Sequence, residues 1–483
     1  MQAVNVCYRS RDNKTAGPPR WPIIGNLVEI FNWNPRPHLA MQEMAKKYGE
    51  IAGFYIGNKP VILISGLVPI YELSRREDLA GRLTNPYKMF NKKGKLYGIT
   101  NTSGEMWHEH REFAVNNLNA GLQKLDEIVH IEMKAVFEEM DNIKDERKTF
   151  MDTPVQDQLG LAILNVLLQL IFGKRYSLSA STLVKLMQHI KEMLKSSDVC
   201  GGMSVILPLE EKILFSPWKF TKIERYYNWF LYFFQEEYDQ HKKSLEENNL
   251  RGYVDAYISE MMDQSSDQES TFTDQQLITT CFDLLISGTT TTLNVLEFAL
   301  MYMVLHPEVQ LKVQEEIDKV VGKDRLPKLE DRPKLPFTEA TLLEIFRKSC
   351  VMPLSVPHAC LKTDNDVKFR EYVIPQNARV ILNIYGLHHD TKVWIDPKSF
   401  RPERFLNDEG KIAGHHGLIP FGVGLRSCIG ESIAHNTLLL LFAGLMQRYT
   451  VEVPIGAHYP SEVSAGFFLL SPKKFAVQMI PRN

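Results

Sequence analysis

The chain carries almost no net charge and few cysteines. Its 56 lysines and arginines nearly balance 58 acidic residues, which leaves a formal net charge of −2. No bulk field would draw it to nucleic acid, and we expect no nucleic-acid partner. Its six cysteines form neither a CxxC pair nor a metal-finger spacing. We therefore expect no disulfide framework, and reduced thiols packed as small hydrophobic side chains at all positions but one, namely at 7, 200, 281, 350 and 360.

The sequence also lacks a long apolar run, an internal repeat and a flexible linker. No stretch reaches the roughly 18–20 apolar residues that cross a bilayer. The nearest, residues 159–172, is interrupted by Asn165 and Gln169 and is expected to form a buried core helix. Residues 1–16 are polar and resemble neither a signal peptide nor a transit peptide. We expect them to form a polar N-terminal stub without a membrane anchor, ahead of a single domain.

The periodicity of the apolar residues predicts a mainly α fold with small β-sheets. Three prolines in residues 17–26 stiffen a hinge, and alternating stretches at 51–56 and 60–65 predict a hairpin. From about 106 to 317 the pattern is mostly helical. The longest predicted helix starts at Thr273, where Gln276 gives capping-box spacing, and Pro307 ends it. At 1.5 Å per residue it is about 45 Å long and must cross the centre of the molecule.

The last third of the chain mixes helices, short strands and one irregular stretch. We predict helices at 307–321, 336–349 and 429–449, and strands at 367–369 and 380–384. Between them, residues 396–424 are rich in proline, glycine and aspartate. One large domain over residues 27–483, with the longest helix at its centre, is the simplest organisation.

The most specific pattern is the decapeptide FGVGLRSCIG at residues 421–430. Gly422 and Gly424 allow the backbone to turn where a side chain would clash. Cys428 stands just before a predicted helix, whose N-terminus favours the thiolate, and the thiolate is the form that binds iron. The alternative is an ordinary buried cysteine beside a glycine-rich turn.

This decapeptide resembles the haem-binding signature of cytochromes P450, F-G-x-G-x-R-x-C-x-G, at every fixed position. The resemblance spans residues 17–483 and implies a haem-thiolate monooxygenase with haem b as cofactor and Cys428 as the iron ligand. It further implies that the neighbouring residues of the loop contact the cofactor, among them Phe421, Gly422, Arg426 and Gly430.

Further motifs match the same family. Glu344 and Arg347 lie three residues apart on one helical face, and with Arg404 they match its E-x-x-R and PERF motifs. This resemblance implies a structural lock behind the cysteine loop, whereas the alternative is a surface ion pair. The implied donors to the haem propionates are Trp107 and Arg111 in W-x-x-x-R, together with His358 and Arg82.

The long helix carries the run Ser287-Gly-Thr-Thr-Thr-Thr292, in which threonine hydroxyls can bond back to carbonyl oxygens and loosen a turn. The resemblance makes this run the oxygen-binding groove, with Thr291 as the residue that helps to deliver protons. A packing kink is the alternative. Two positions depart from the family pattern: Ser287 replaces a smaller residue, and Thr290 replaces an acid. Asp283, one turn earlier, is our candidate for the missing acid.

The resemblance implies that one atom of dioxygen is placed on a lipophilic substrate. The expected electron donor is an NADPH-dependent flavoprotein reductase that docks near Lys92, Lys93 and Lys95, and cytochrome b5 is a further candidate. The expected location is the cytoplasmic face of the endoplasmic reticulum membrane. Aromatic residues in 205–234 suggest either a rim that dips into the bilayer or ordinary helix packing.

The substrate is left open among steroids, terpenoids, fatty acids and xenobiotics. An apolar pocket is expected from the loop 83–103 and from Leu284, Ser287, Met352, Val356 and Phe467. Two rival functions also remain. Thr290 favours a haem-thiolate isomerase or dehydratase that uses no dioxygen, and a non-catalytic haem-binding protein is the other.

Overall fold

The computed structural model describes residues 17–82, 95–142, 154–199, 217–246, 248–361, 366–376 and 378–482. It is mainly helical with small sheets, as predicted. The predicted polar stub at 1–16 and the first part of the predicted pocket loop, 83–94, lie outside the described residues.

Helices form most of the described chain. Their bounds, in chain order, are α1 Leu27–Trp33, α2 Pro37–Tyr48, α3 Leu67–Ser74, α4 Glu105–Ala120, α5 Leu125–Asn142, α6 Pro154–Phe172, α7 Ser181–Val199, α8 Pro217–Lys243, α9 Tyr253–Asp263, α10 Asp274–Leu305, α11 Pro307–Val320, α12 Pro336–Ser349, α13 Ile384–His388 and α14 Glu431–Arg448. The helices predicted after 307 and after 336 are confirmed to within a residue. The last helix starts two residues later than predicted.

The strands form one three-stranded sheet and several two-stranded ones. Their bounds are β1 Ile51–Ile56, β2 Lys59–Ile64, β3 Val367–Phe369, β4 Tyr372–Ile374, β5 Arg379–Leu382, β6 Tyr449–Glu452, β7 Ser464–Ala465, β8 Ser471–Pro472 and β9 Gln478–Pro481. The predicted hairpin is confirmed as β1 and β2, and β5 joins β2 in parallel. Strand β5 ends earlier than predicted because the side chain of Asn383 caps α13 by accepting the N–H of Gly386.

Helix α10 is the centre of the fold. It runs for 32 residues from the cap at Thr273 to His306, as predicted, and it contacts α6, α8, α12 and α14. By length and composition it is the one described helix that could cross a membrane, but 67% of its most apolar window is buried within the protein. It is therefore read as the core helix of this domain.

Only half of the predicted capping box forms at the start of α10. The hydroxyl of Thr273 accepts the N–H of Gln276 at 3.3 Å. The Gln276 side chain does not return to the cap. Instead its amide makes two hydrogen bonds to the backbone of Gly98, one as donor and one as acceptor. The residue predicted to cap the helix thus holds a loop against it.

Helix α6 confirms the predicted buried helix at 159–172, and its two polar interruptions have partners. Asn165 and Gln169 both donate to the carboxylate of Glu132, which is fully buried on α5. Arg175 completes the group with an ion pair of 2.7 Å to the same carboxylate. The interruptions therefore satisfy a buried charge between two helices.

The proline-rich segment 17–26 is fixed to the sheet by Asn26. Its buried side-chain amide donates to the carbonyl oxygens of Pro18 and Pro19, and its amide oxygen accepts the N–H of Tyr55 at 2.7 Å. One side chain thus satisfies three backbone groups and holds the segment in a defined position against β1.

We predict that Asn26→Ala lowers the free energy of unfolding by roughly 2–4 kcal/mol, because each buried polar group left without a partner costs about 1–3 kcal/mol. Chemical denaturation checks this value. Asn32→Ala, an exposed change on α1, is the matched control. Equal stability of the two variants would contradict the role assigned to Asn26.

Candidate active site

The cysteine loop is a tight turn closed by its own backbone. Gly422 and Gly424 have φ of +71° and +73°, a region that favours glycine. A Cβ at Gly424 would lie 2.2 Å from the carbonyl oxygen of Ser74, so the second glycine is also required for close approach. The N–H of Cys428 donates to the carbonyl oxygen of Phe421 at 2.8 Å, which closes the loop.

Cys428 faces a large internal cavity at the foot of α14. Its side chain is accessible, in contrast to the buried thiols of Cys281, Cys350 and Cys360, and it lines the cavity. Desolvation of the sulfur within the site raises the pKa of the Cys428 thiol, and the hydrogen bond from the backbone N–H of Gly430 acts in the opposite direction. A metal ion that binds the sulfur must therefore displace a proton.

The lock predicted from Glu344, Arg347 and Arg404 forms around one fully buried carboxylate. Arg347 pairs with Glu344 through two hydrogen bonds of 2.7 and 2.8 Å, and Arg404 approaches the same carboxylate at 3.1 Å. The N–H of Arg401 adds a further hydrogen bond at 2.9 Å. Both members of the first pair have no exposed surface, so the alternative of a surface ion pair is excluded.

Arg347 and Arg404 extend the lock into the irregular segment before the cysteine loop. Their remaining N–H groups donate to carbonyl oxygens at 388, 395, 396, 397 and 399. Buried charges are tolerated only when such partners complete the set. The lock therefore fastens this segment to α12.

Three guanidinium groups stand at one side of the cavity. Arg82, Arg111 and Arg426 all line it, and within the described ranges no carboxylate forms an ion pair with any of them. Burial lowers the pKa of Arg82 to about 9 and of Arg426 to about 8, and repulsion among the three adds to both shifts. Nε of Arg82 is buried without a partner.

Carbonyl oxygens hold this cationic cluster in place. Arg82 donates to the carbonyls of Val356 and Pro357 at 3.2 Å, Arg426 to those at 80 and 102, and Arg111 to that of Ser427 at 2.8 Å. These neutral acceptors orient the groups without cancelling their charge. The cluster is thus arranged to receive an anionic group.

Trp107 and His358 were also predicted as propionate donors, but both already have other contacts. The Trp107 ring is buried and is not among the cavity-lining residues. Its centroid lies 3.5 Å from the guanidinium carbon of Arg426. It therefore supports Arg426 through a cation–π contact. His358 lines the cavity, but its Nδ1 lies 3.1 Å from the carbonyl oxygen of Leu79, and burial lowers its pKa. A neutral imidazole in this position must bind a proton before Nε2 can donate.

These residues fit haem as an occupant. An accessible cysteine sulfur opens onto a largely apolar cavity of about 340 Å³, within the roughly 300–1,000 Å³ typical of cofactor and ligand sites. The uncompensated guanidinium groups lie at the same cavity. Haem b combines an iron that binds thiolate, an apolar macrocycle and two carboxylates, so its parts match the sulfur, the walls and the cationic cluster respectively.

The threonine run contributes one wall of the cavity without interrupting α10. Thr289 and Thr291 bond back to the carbonyl oxygens of Leu285 and Ser287, as the sequence predicted. The helix is nevertheless continuous through the threonine run, so these bonds do not break it. Ser287 and Thr291 line the cavity, and Gly288 allows α10 to contact Leu167, to which an added Cβ would lie 2.9 Å away.

Asp283 also lines the cavity, but its carboxylate is engaged by a loop. Its Oδ2 accepts the N–H groups of Ile99 and Thr100, both at 2.9 Å. Burial raises its pKa to about 6, while those hydrogen bonds act in the opposite direction. Together with Gln276, this residue anchors the loop 98–100 on α10. The geometry therefore supports an anchor more directly than the proton donor that we predicted.

Most of the predicted substrate pocket lines the cavity. Leu284, Ser287, Met352 and Val356 do so, together with Phe421, Gly422 and Gly430 of the cysteine loop. Phe467 does not: it is 38% exposed and lies outside the lining residues. It lies in the connection between strands β7 and β8.

Sequence reasoning missed a wall that comes from α6. The residues concerned are apolar and indistinguishable by type from the core around them: Ile163, Val166, Leu167, Leu170 and Ile171. Only the packing of α6 against α10 brings them to the cavity. Ile99 and Thr100, by contrast, fall within the predicted loop.

The fold and this arrangement of sulfur, cations and apolar walls define a haem-thiolate protein. Comparison with known sequences agrees, because the profile of the family described as "Cytochrome P450" matches residues 15–479. The chain belongs to the cytochrome P450 family and is a monooxygenase of that family.

Its similar relatives come from insects and mammals. It is 33% identical over 474 residues to the farnesoate epoxidase of Bombyx mori, and the aligned part covers 97% of this chain and 94% of that protein. It is 31% identical to cytochrome P450 2D3 of Rattus norvegicus, over 95% of this chain and 91% of that protein. The identity to cytochrome P450 2J2 of Homo sapiens is also 31%, over 92% and 87%.

We predict that Asp283→Ala raises KM at least about tenfold more than Asp283→Asn does. The asparagine keeps one oxygen for the two loop N–H groups, whereas alanine removes it. A buried donor that is left without an acceptor costs about 1–3 kcal/mol, and 1.4 kcal/mol is tenfold. Because Ile99 and Thr100 line the cavity, release of their loop should weaken substrate binding. Steady-state kinetics with product formed per NADPH is the measurement. If both variants instead lost the same share of coupling at unchanged KM, Asp283 would act as an acid and not as an anchor.

Proposed function

We propose that this protein inserts one oxygen atom from O2 into a lipophilic small molecule, using two electrons that NADPH supplies through a flavoprotein reductase. The overall reaction consumes the substrate, O2, two protons and two electrons, and gives the oxygenated product and water. The observation that carries the proposal is the accessible Cys428 sulfur in an apolar cavity whose only described cations lack a carboxylate partner. Haem held there through that sulfur supplies the activation of dioxygen.

The residues of the chain divide the remaining work. We assign the metal-ligand role to Cys428 and the binding of the two carboxylates to Arg82, Arg111 and Arg426, with His358 beside them. The walls exclude water and orient the substrate. Thr291, with its hydroxyl already donating to the carbonyl of Ser287, is assigned to holding a proton at Oγ1 on the cavity side.

The walls support an apolar substrate, and the relatives narrow the first choices. Leu284, Val295, Met352 and Val356 supply apolar surface. One relative is named for the epoxidation of farnesoate, so an isoprenoid acid is our first candidate and a long-chain fatty acid or steroid the next. Hydroxylation and epoxidation place the same single atom, and the geometry of the bound substrate decides between them.

We further propose association with the cytoplasmic face of the endoplasmic reticulum membrane. A run of exposed apolar residues early in the chain supports membrane contact: Trp21, Ile23, Ile24, Val28 and Phe31. The aromatic segment 205–234 lends less support. Its residues 205–216 lie outside the described structure, and further along it Tyr227 and Phe230 are buried, which is the helix-packing alternative.

The electron donor is proposed to dock near the cysteine loop, and cytochrome b5 is a second candidate. Of the lysines that we predicted for this contact, Lys92 and Lys93 lie outside the described residues. Lys95 is described and exposed.

We predict that the purified protein, reconstituted with reductase and NADPH, incorporates ¹⁸O from labelled O2 into one member of a panel of farnesoic acid, a fatty acid and a steroid. Cys428→Ser should abolish both this incorporation and the carbon monoxide absorption band diagnostic of a thiolate ligand. Isotope incorporation is measured by mass spectrometry.

Cys360→Ser is the matched control, because it removes a buried thiol that does not line the cavity and that donates a hydrogen bond to the Pro375 carbonyl at 3.7 Å. It should keep the band and the incorporation. A thiolate band with product formed but no ¹⁸O would favour the isomerase or dehydratase. A thiolate band without substrate-dependent turnover across the panel would favour a haem-binding protein that is not an enzyme.

A further inference from the structure

A buried histidine lies between the lock and the cysteine loop. His388, the last residue of α13, has no exposed surface. Its carbonyl oxygen accepts Nη1 of Arg347 at 2.8 Å. Its ring nitrogen Nε2 accepts the N–H of Ile419 at 3.0 Å. One residue therefore contacts the lock through its backbone and the approach to the cysteine loop through its side chain.

The protonation state of the ring follows from these contacts. Because Nε2 accepts a hydrogen bond, the ring must be neutral with its proton on Nδ1. Burial, and then the nearby groups His389 and Arg347, hold the pKa of His388 well below its usual value, which agrees with a neutral ring. Nδ1 is buried without a partner. An apolar side chain at 388 would bury no unpaired N–H, so histidine is unfavourable there in this respect. What histidine offers and an apolar side chain does not is the acceptor Nε2 for the N–H of Ile419.

Two backbone hydrogen bonds, joined by the peptide bond between Phe421 and Gly422, lead from Ile419 to the cysteine. The carbonyl oxygen of Ile419 accepts the N–H of Gly422 at 3.0 Å, and that of Phe421 accepts the N–H of Cys428 at 2.8 Å. The Ile419 side chain is itself buried. A displacement of the Ile419 backbone would therefore shift the carbonyl that holds Cys428.

We propose that His388 is a positioning residue for Cys428: its neutral Nε2 fixes the backbone of Ile419, and its carbonyl ties that point to the Glu344–Arg347–Arg404 lock. The lock thereby acts on the sulfur through this residue and not only through packing. A side-chain change at 388 leaves the carbonyl to Arg347 in place, so the two contacts of His388 can be tested separately.

Four variants test the proposal. His388→Leu removes the acceptor, His388→Gln offers an amide oxygen at the reach of Nε2, and His388→Asn offers one at the reach of Nδ1. His389→Leu makes the same apolar change at the next residue, whose ring stacks on Tyr385 at 4.0 Å and bonds to its carbonyl. All are made in the full chain with bound haem.

Two readouts are used: amide hydrogen exchange at Ile419, and the rate at which the carbon monoxide band of the thiolate-ligated protein is lost in mild denaturant. We expect His388→Leu to speed exchange at Ile419 by about tenfold, equivalent to roughly 1.4 kcal/mol, and to speed loss of the thiolate band. His388→Gln should restore both, and His389→Leu should change neither, even if it lowers the unfolding temperature.

The proposal is overturned if His388→Leu matches His389→Leu in both readouts, or if His388→Gln behaves like His388→Leu. If the leucine variant does not fold, the glutamine and asparagine variants decide: asparagine should fail where glutamine succeeds, and equal behaviour contradicts the role of Nε2. The inference rests on Cys428 as the iron ligand. If that assignment fails, the parent protein lacks the thiolate band, whereas exchange at Ile419 still reports on the hydrogen bond.

Discussion

Three half-buried guanidinium groups at one cavity, without a described carboxylate to pair with, are the constraint on which the site depends. Burial, and then repulsion from the neighbouring arginines, lowers the pKa of Arg82 and of Arg426, and the carbonyl oxygens around the three groups orient their charge without neutralising it. Such a cluster is unfavourable until an anion arrives. Repulsion within this cluster destabilises the protein without its cofactor, so binding of an anionic cofactor should raise the stability of the folded state.

The lock shows the opposite solution to the same problem. There, two arginines surround one buried glutamate, and their remaining N–H groups are used on carbonyl oxygens of residues 388–399. This group is complete without a ligand. The lock thus holds the segment before the cysteine loop in place. The cationic cluster, in contrast, keeps an uncompensated positive charge at the cavity that the loop faces.

The sequence was most informative where chemistry demands a fixed spacing. The decapeptide at 421–430, the Glu344–Arg347 pair and the cap at Thr273 each depend on neighbours in the chain. The structure forms the turn at the two glycines, the buried ion pair and the Thr273 half of the capping box. The α6 wall could not be predicted, because Leu167 and its neighbours differ from core residues only in which helix they face. The loop contacts of Gln276 and Asp283 were missed for a related reason: their partners at 98–100 are distant in sequence, so the local motifs suggested only a capping residue and an acid.

The most direct test of this account compares haem with its dimethyl ester, in which both carboxylates are neutral, as ligands of the apoprotein. If the cationic cluster is arranged for two anionic groups, the ester should bind at least about a hundredfold more weakly, equivalent to roughly 2.8 kcal/mol, and should raise the unfolding temperature less. Replacement of Arg82 by glutamine should narrow that difference. Equal affinity for the two porphyrins would show that the three guanidinium groups serve another purpose.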